Sequence, residues 1–275
     1  MASQALNHAR QIYGVDFSGA AQAGKKIWIT CGRIEGRSLR VERCFQAAHL
    51  PGSSQERDHC LAALRDFVGQ EPAGVFGFDF PFGLPHGLVT EKTWEDFVLS
   101  FPHAYDSPEQ FRDTTRRLAG GHELKRVTDR ETRTPFSPYN IRLYRQTYFG
   151  IRDLLAPLVK DRLACVLPMQ PARPDRAWLL EICPASTLKR EGLNRPYKGR
   201  STEHYEARVR ILEAIEKMTP LRVTFSLRPV ILDDSEGDAL DSVIAAVAAF
   251  RVIRSLDPIH VDVNQAYAVE GLVYV

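Results

Sequence analysis

Little in this sequence of 275 residues suggests a metal ribbon, a disulfide framework or a membrane span. It has only five cysteines, and no two of them form a C-x-x-C pair. Zinc ribbons and disulfide frameworks need paired spacings, so we expect reduced and mostly buried thiols. The longest unbroken apolar run, Val243 to Phe250, is far shorter than the roughly 20 residues of a membrane-spanning helix. Residues 1–8 lack a charged stretch followed by an apolar one, so we expect a cytoplasmic protein without a secretory signal or membrane contact.

The composition is that of an ordinary globular protein, with 44% hydrophobic and 25% charged residues. It excludes a disordered chain and a collagen-like fibre, and the length suffices for one large domain or two small ones. The formal net charge of +2 is unevenly distributed, because residues 112–152 hold ten Lys or Arg and four Asp or Glu. This local excess of six positive charges leaves the rest of the chain at −4. A basic segment on a slightly acidic body indicates an anionic partner.

The apolar pattern of the first third predicts an α/β domain. Residues 11–18, 26–32 and 38–45 favour three successive strands of an antiparallel meander. A helix is predicted at 54–68. The nearly continuous apolar run at 73–80 is typical of a strand that is buried on both faces.

The middle of the chain interrupts this pattern. Residues 86–176 mix polar, aromatic and basic residues and are predicted to form a largely helical insertion within a single domain, 1–275. The regular pattern then returns as one strand, two helices and a short last strand, at 177–183, 202–218, 238–254 and 271–275. This order indicates a mixed sheet flanked by helices.

The segment Gly19–Lys26 fits the phosphate-loop pattern G-x-x-x-x-G-K, but its context argues against nucleotide binding. A phosphate loop continues into a helix and carries Ser or Thr after its Lys. Position 26 is Lys, and the residues that follow it favour a strand. The sequence therefore predicts a hairpin turn here.

Acidic residues stand where apolar elements begin or end. Asp16 closes the first strand, Asp79 follows the buried strand, and Glu181 lies within the returning strand. Asp238 and Asp241 open the last helix, and their spacing of three puts both on one face. Carboxylates within apolar elements are costly, and a cluster of them takes up either protons or divalent cations.

The chemistry of these five side chains predicts a site for a hard metal ion. Oxygen ligands without a matching set of His and Cys favour Mg²⁺ or Mn²⁺ over zinc. Two such ions about 4 Å apart can activate water and stabilise the leaving oxygen in phosphodiester hydrolysis. The candidate catalytic residues are therefore Asp16, Asp79, Glu181, Asp238 and Asp241, and all of them except Glu181 are candidate metal ligands. Structural roles stay open: a strand-end turn for Asp16 or Asp79, and helix capping for Asp238. Glu181 has the alternative of an ion pair with an arginine such as Arg190 or Arg195.

Four segments resemble the domain-of-unknown-function family 429, whose members are described as predicted nucleases with a ribonuclease H-like fold. They are G-V-D-F-S-G-A at 14–20, G-F-D-F-P-F-G-L-P at 77–85, E-I-C-P-A-S at 181–186 and G-D-A-L-D-S-V-I-A-A at 237–246. The resemblance covers 11–85 and 177–275 but not 86–176. It implies three antiparallel strands followed by two parallel ones. It also implies that Asp16 and Asp79 face each other at the sheet centre beside Asp238 and Asp241, as in Holliday-junction resolvases.

Aromatic and basic residues are interleaved in the segment 112–152. Guanidinium groups neutralise phosphates and aromatic faces stack on unpaired bases, so we expect a nucleic-acid partner, DNA or RNA. The candidate contacts are Arg133, Arg142, Arg145, Tyr144 and Tyr148. The alternative is a helical lobe whose aromatic residues form its own core, with the arginines in solvent.

Together these observations predict a metal-dependent nuclease that uses Mg²⁺ or Mn²⁺ in a two-metal-ion mechanism. Two other classes stay open. One is a non-catalytic nucleic-acid or protein-binding module on the same fold. The other is an actin/hexokinase-like phosphotransferase, against which a single core domain counts.

Overall fold

The computed structural model describes residues 11–255 and 264–275, and its eight strands form one mixed sheet. The strands are β1 Gln11–Asp16, β2 Trp28–Glu35, β3 Ser38–Gln46, β4 Val75–Phe78, β5 Ala164–Leu167, β6 Ala177–Ile182, β7 Leu221–Val223 and β8 Val273–Tyr274. Their order is β5-β6-β4-β1-β2-β3-β7, with β8 also beside β6. The pairs β1–β2 and β2–β3 are antiparallel, and the other pairs are parallel. The predicted α/β class and the antiparallel meander are confirmed.

Helices flank both faces of this sheet. They are α1 Ala23–Lys26, α2 Arg57–Gly69, α3 Trp94–Ala104, α4 Pro108–Leu118, α5 Val127–Glu131, α6 Tyr144–Phe149, α7 Ala156–Lys160, α8 Pro184–Arg190, α9 Thr202–Met218, α10 Leu227–Leu232, α11 Asp238–Ser255 and α12 Tyr267–Glu270. A π-helix, Gly150–Leu155, joins α6 to α7, and 3₁₀ turns occur at Ala47–His49 and His86–Leu88. Residues 86–176, which we call the insertion, contain α3 to α7 and, near their end, the edge strand β5.

Helix α11 lies directly on one face of the sheet because small residues meet at the contact. A Cβ atom on Gly14 of β1 would stand 1.9 Å from the backbone oxygen of Ser242, and one on Gly77 of β4 would stand 2.8 Å from that of Ala245. No larger side chain fits at Gly14. The close approach brings the start of α11 over the carboxyl ends of β1 and β4.

The insertion covers the other face with an aromatic core. Phe76, Phe78 and Phe80 continue from β4 into a series of ring contacts with centroids 5.8–5.9 Å apart. Buried rings of the insertion, including Phe101 and Tyr148, belong to the same hydrophobic cluster. The insertion is therefore packed onto the sheet and forms one wall of its carboxyl edge. Among the helices in the described ranges, none has the length and hydropathy that a membrane span would need.

The connection between β1 and β2 differs from the predicted tight turn. It contains the one-turn helix α1, and the amide of Gly24 donates to the oxygen of Gln55 at 3.1 Å. A Cβ atom on Gly24 would lie 2.1 Å from the oxygen of Ser54. Close backbone packing therefore accounts for the second glycine of the phosphate-loop pattern.

The five cysteines are all free thiols, as the sequence predicts. Four of them are buried, and Cys183 is half-buried.

Candidate functional site

Asp16 and Asp79 stand side by side at the carboxyl edge of the sheet. In the parallel pair β1–β4, Val15 is opposite Phe78, and the amide of Asp79 donates to the oxygen of Val15 at 3.0 Å. The next positions, Asp16 and Asp79, are thus neighbours across strands that lie about 4.8 Å apart. Side chains alternate along a strand, so both aspartates share the face of Gly14, which packs against α11.

The first turn of α11 brings Asp238 and Asp241 to the same place. Asp238 does not cap this helix, because the side chain of Asp234 accepts the amide of Ala239 at 2.9 Å. The Asp238 carboxylate is therefore free for other contacts. Asp241, one turn further, is almost completely buried. We call Asp16, Asp79, Asp238 and Asp241 the acidic cluster.

Sequence reasoning missed two side chains of this site, Tyr197 and Lys198. The Lys198 ammonium lies 2.7 Å from Oδ2 of Asp241 and 3.2 Å from Oδ1 of Asp238. The Tyr197 hydroxyl donates to Oδ1 of Asp241. Both residues belong to an irregular connection between α8 and α9, where no periodic pattern indicates a role.

A buried arginine holds this connection in place. Arg208 of α9 donates from Nη1 to the backbone oxygens of Tyr197, at 2.7 Å, and Gly199, at 3.0 Å. The amide of Gly199 donates in turn to the oxygen of Ser235, at 2.7 Å, just before α11. The position of Lys198 over the acidic cluster is therefore fixed by backbone contacts on both sides.

Crowding and burial change the protonation of the acidic cluster. Burial, followed by the negative charges of Asp241 and Asp238, raises the pKa of Asp16 well above its usual value. Burial and Asp241 raise the pKa of Asp79 to about 8. Burial lowers the pKa of Lys198, but the surrounding carboxylates outweigh it and raise that pKa overall. At neutral pH the cluster therefore retains a proton and a bound ammonium.

The side chains as they lie do not fit the predicted two-ion centre. Within residues 11–255 and 264–275, no three Asp, Glu, His or Cys side chains are placed to hold one metal ion together. The donor atoms are the oxygens that Mg²⁺ and Mn²⁺ prefer, but the cation that contacts Asp238 and Asp241 is the Lys198 ammonium.

Glu181 lies on the opposite face of the sheet from the acidic cluster. Glu181 pairs with Phe78 in the parallel pair β4–β6, so its side chain points to the same face as Phe78. Asp79 is the next residue after Phe78, and successive side chains of a strand point to opposite faces. The Glu181 carboxylate accepts from both terminal nitrogens of Arg126 and from the amide of Phe82, at 2.9 Å. The structure therefore does not bring Glu181 together with Asp16. The ion pair of Glu181 is with Arg126 and not with Arg190 or Arg195, as the sequence had suggested.

Arg126 is the centre of a buried ion network that joins the insertion to the sheet. It also donates to Asp129, from Nη2 at 2.8 Å and Nε at 3.0 Å, and from Nη1 to the oxygen of Glu270 at 3.0 Å. The Glu270 carboxylate accepts the amides of His86 and Val127. Arg126, Asp129 and Glu181 are each at most 2% exposed, so the one guanidinium stabilises two carboxylates that are shielded from water.

Most of the predicted nucleic-acid contacts are engaged inside the insertion. Tyr144 and Tyr148 are buried, so their ring faces are covered by protein. Arg145 pairs with Glu109 at 2.8 Å, and Arg133 is exposed, with its backbone oxygen bound by a lysine. Arg142 differs, because its exposed guanidinium lies over the ring of Phe136, 5.4 Å from the centroid. The structure thus favours the core role for the tyrosines.

Comparison with known proteins places the chain in a family. A family model described as "Protein of unknown function (DUF429)" matches residues 14–258. The match runs through 86–176, which we had expected to lie outside the resemblance. No curated protein and no solved structure matches the chain. The chain therefore belongs to the DUF429 family.

Proposed function

We propose that the protein is a nuclease that hydrolyses phosphodiester bonds at the acidic cluster. The proposal rests on one observation: β1, β4 and α11 bring four carboxylates to one edge of the sheet, where burial raises the pKa of three of them. In the buried ion network both carboxylates contact the guanidinium, whereas Lys198 contacts two of the four carboxylates of the acidic cluster. Perturbed ionisable groups held together at a sheet edge are typical of catalytic sites.

The chain's own residues supply both proton transfers of a hydrolysis. Asp16 and Asp79 lie side by side with raised pKa values, so one can be ionised while the other keeps its proton. The ionised carboxylate accepts a proton from water as the water oxygen bonds to phosphorus. The protonated one donates its proton to the leaving oxygen as the phosphorus–oxygen bond breaks. The Lys198 ammonium neutralises charge that develops on the phosphoryl oxygens.

Dependence on Mg²⁺ or Mn²⁺ remains a separate prediction. Its predicted ligands are Asp16, Asp79, Asp238 and Asp241, and none of the proton transfers described above depends on an ion. Bound ions would neutralise the carboxylates and polarise a phosphoryl oxygen.

One observation favours the alternative of a non-catalytic binding module. Lys198 and Tyr197 together bind both oxygens of Asp241, so part of the cluster is stabilised without a ligand. A module of this kind would bind nucleic acid or a protein and cleave nothing.

Cleavage assays separate these functions. Purified protein is incubated with labelled single-stranded, duplex and branched DNA and RNA, with Mg²⁺, with Mn²⁺ and with chelator. We expect cleavage that Asp16→Asn and Asp79→Asn each reduce by about 100-fold or more. Asp233→Asn is the matched control, because Asp233 is an exposed carboxylate just before α11 and outside the cluster. Absence of cleavage of every polymer, or equal activity in all three variants, would reject the nuclease.

A further inference from the structure

A small cavity opens beside Asp79, between the edge of the sheet and the insertion. Its volume is about 190 Å³. The sheet contributes Asp79 and Ile182 to its lining, and the insertion contributes Phe136, Arg142 and Gln146. The buried ion network of Arg126, Asp129 and Glu181 also lines it. The cavity thus adjoins the candidate acid, and on its other side lies the buried network in which Arg126 pairs with Asp129 and Glu181.

The wall formed by the insertion is tied to the two catalytic strands. The side-chain amide of Gln146 donates to the backbone oxygen of Phe17, directly after β1. It also lies 3.5 Å from the backbone oxygen of Asp79. These contacts hold the cavity in a constant position relative to Asp16 and Asp79.

Arg142 and Phe136 give this cavity an aromatic surface and a cationic group. Within the described ranges, the contact recorded for the Arg142 guanidinium is the ring of Phe136, and no carboxylate pairs with it. The nearby arginines are neutralised, Arg145 by Glu109 and Arg152 by Asp153. Two arginines line the cavity, and Arg126 is bound by Asp129 and Glu181, so Arg142 is the one whose charge is available to an anion.

The size of the cavity limits what can enter it. Pockets for drug-sized ligands measure about 300–1,000 Å³, so a smaller space accepts about one planar ring. Aromatic side chains stack on unpaired bases, and arginine binds phosphate or stacks on the same base. A base within a duplex is paired and stacked on both sides and cannot enter.

We propose that this cavity receives one unpaired nucleotide, with its base against Phe136 and its phosphate at Arg142. The inference rests on the proposed function and narrows it to single-stranded nucleic acid or single-stranded regions. The adjacent phosphodiester bond would then lie toward Asp79. Continuous duplex would bind weakly.

Equilibrium binding of fluorescent oligonucleotides in chelator tests this independently of cleavage. We expect the wild type to bind a single strand more tightly than the duplex of the same sequence. Arg142→Ala should weaken single-strand binding by about 10-fold and lower the salt dependence by about one counterion. Phe136→Leu should weaken it by about 5-fold or more, whereas Phe136→Tyr keeps the ring and should bind as the wild type does.

The matched control is Arg145→Ala, since Arg145 is exposed on the same segment but ion-paired with Glu109. Equal losses in Arg142→Ala and Arg145→Ala, or equal affinity for single strand and duplex, would overturn the inference. The inference would also be overturned if Phe136→Tyr lost affinity although its thermal melt matched that of the wild type. If binding follows these expectations but no polymer is cleaved, the nuclease is rejected and nucleotide binding in the cavity is supported. Cleavage that requires Asp16 but is unchanged by substitution of Arg142 and Phe136 would reject nucleotide binding in the cavity and support the nuclease.

Discussion

Two groups of charged side chains occupy opposite faces of the sheet near its carboxyl edge, and they differ in exposure and in how many of their carboxylates contact a cation. In the buried ion network, Arg126 donates to both Asp129 and Glu181, and all three are excluded from water. In the acidic cluster, Lys198 contacts two of four carboxylates and its side chain is 50% exposed. Similar residue types are therefore fully buried on one face, whereas on the other face the cation and part of the cluster reach solvent.

The largest expected effect is on stability, from opening the buried ion network. Arg126→Met leaves two buried carboxylates without their counter-charge, so we expect the free energy of unfolding to fall by about 3–5 kcal/mol. Denaturant unfolding measures it. Arg130→Ala, at an exposed arginine of α5, the helix that begins directly after Arg126, is the control and should change stability by less than about 0.5 kcal/mol. A loss of less than about 1 kcal/mol for Arg126→Met would remove the distinction between the two groups.

Asp16→Asn should reduce cleavage without reducing stability, in contrast to the loss of stability expected for Arg126→Met. We expect cleavage to fall by about 100-fold or more, because the amide neither accepts nor donates the required proton. The free energy of unfolding should stay constant or rise by about 1 kcal/mol, since one of several repelling carboxylates is removed. Cleavage rates and denaturant curves on the same preparation test both parts. Strong destabilisation together with lost activity would make Asp16 a structural residue like Glu181.

The acidic cluster should also make stability depend on pH. A carboxyl group with a raised pKa binds its proton more tightly in the folded state than in the unfolded chain. Between about pH 4 and pH 8 the folded state therefore holds more protons, and stability decreases as pH rises. The loss of unfolding free energy between pH 5 and pH 8 should be smaller in Asp79→Asn than in the wild type, by about 1–3 kcal/mol. Denaturant unfolding at the two pH values measures it. Parallel pH profiles for variant and wild type would contradict the raised pKa.

The smallest expected effect comes from Lys198. Its side chain is half exposed and solvent screens its ion pairs, so Lys198→Met should lower stability by about 0.5–1 kcal/mol at pH 8 and by less at pH 5. If Mg²⁺ or Mn²⁺ takes the place of the ammonium, Mn²⁺ should raise the Tm of Lys198→Met more than that of the wild type. Equal Tm values with and without Mn²⁺ in both proteins would contradict metal binding at the cluster. Lys217→Met, at an exposed lysine in the last turn of α9, is the control.

Much of the fold follows from local patterns in the sequence. Alternating apolar residues predicted β1, β2 and β3, and the continuous apolar runs predicted β4 and β6. The sequence missed β5 and β7, because strands of four and three residues at the sheet edge are too short to show a period. It also predicted that Asp16 and Asp79 end neighbouring elements, since a polar residue after an apolar strand is visible in one chain.

Only the tertiary structure determines which of these acidic residues lie close together and which cation they contact. Whether Glu181 faces α11 or the insertion depends on its register against β4, and a shift of one residue reverses the face. Lys198 reaches Asp238 and Asp241 across 40 or more positions of sequence, held by backbone contacts to Arg208 and Ser235. The sequence by itself determined the strand pattern and the presence of acids at strand ends. Strand register and long-range packing determine which residues form the site. The sequence could not predict them, because neither leaves a periodic signal along the chain.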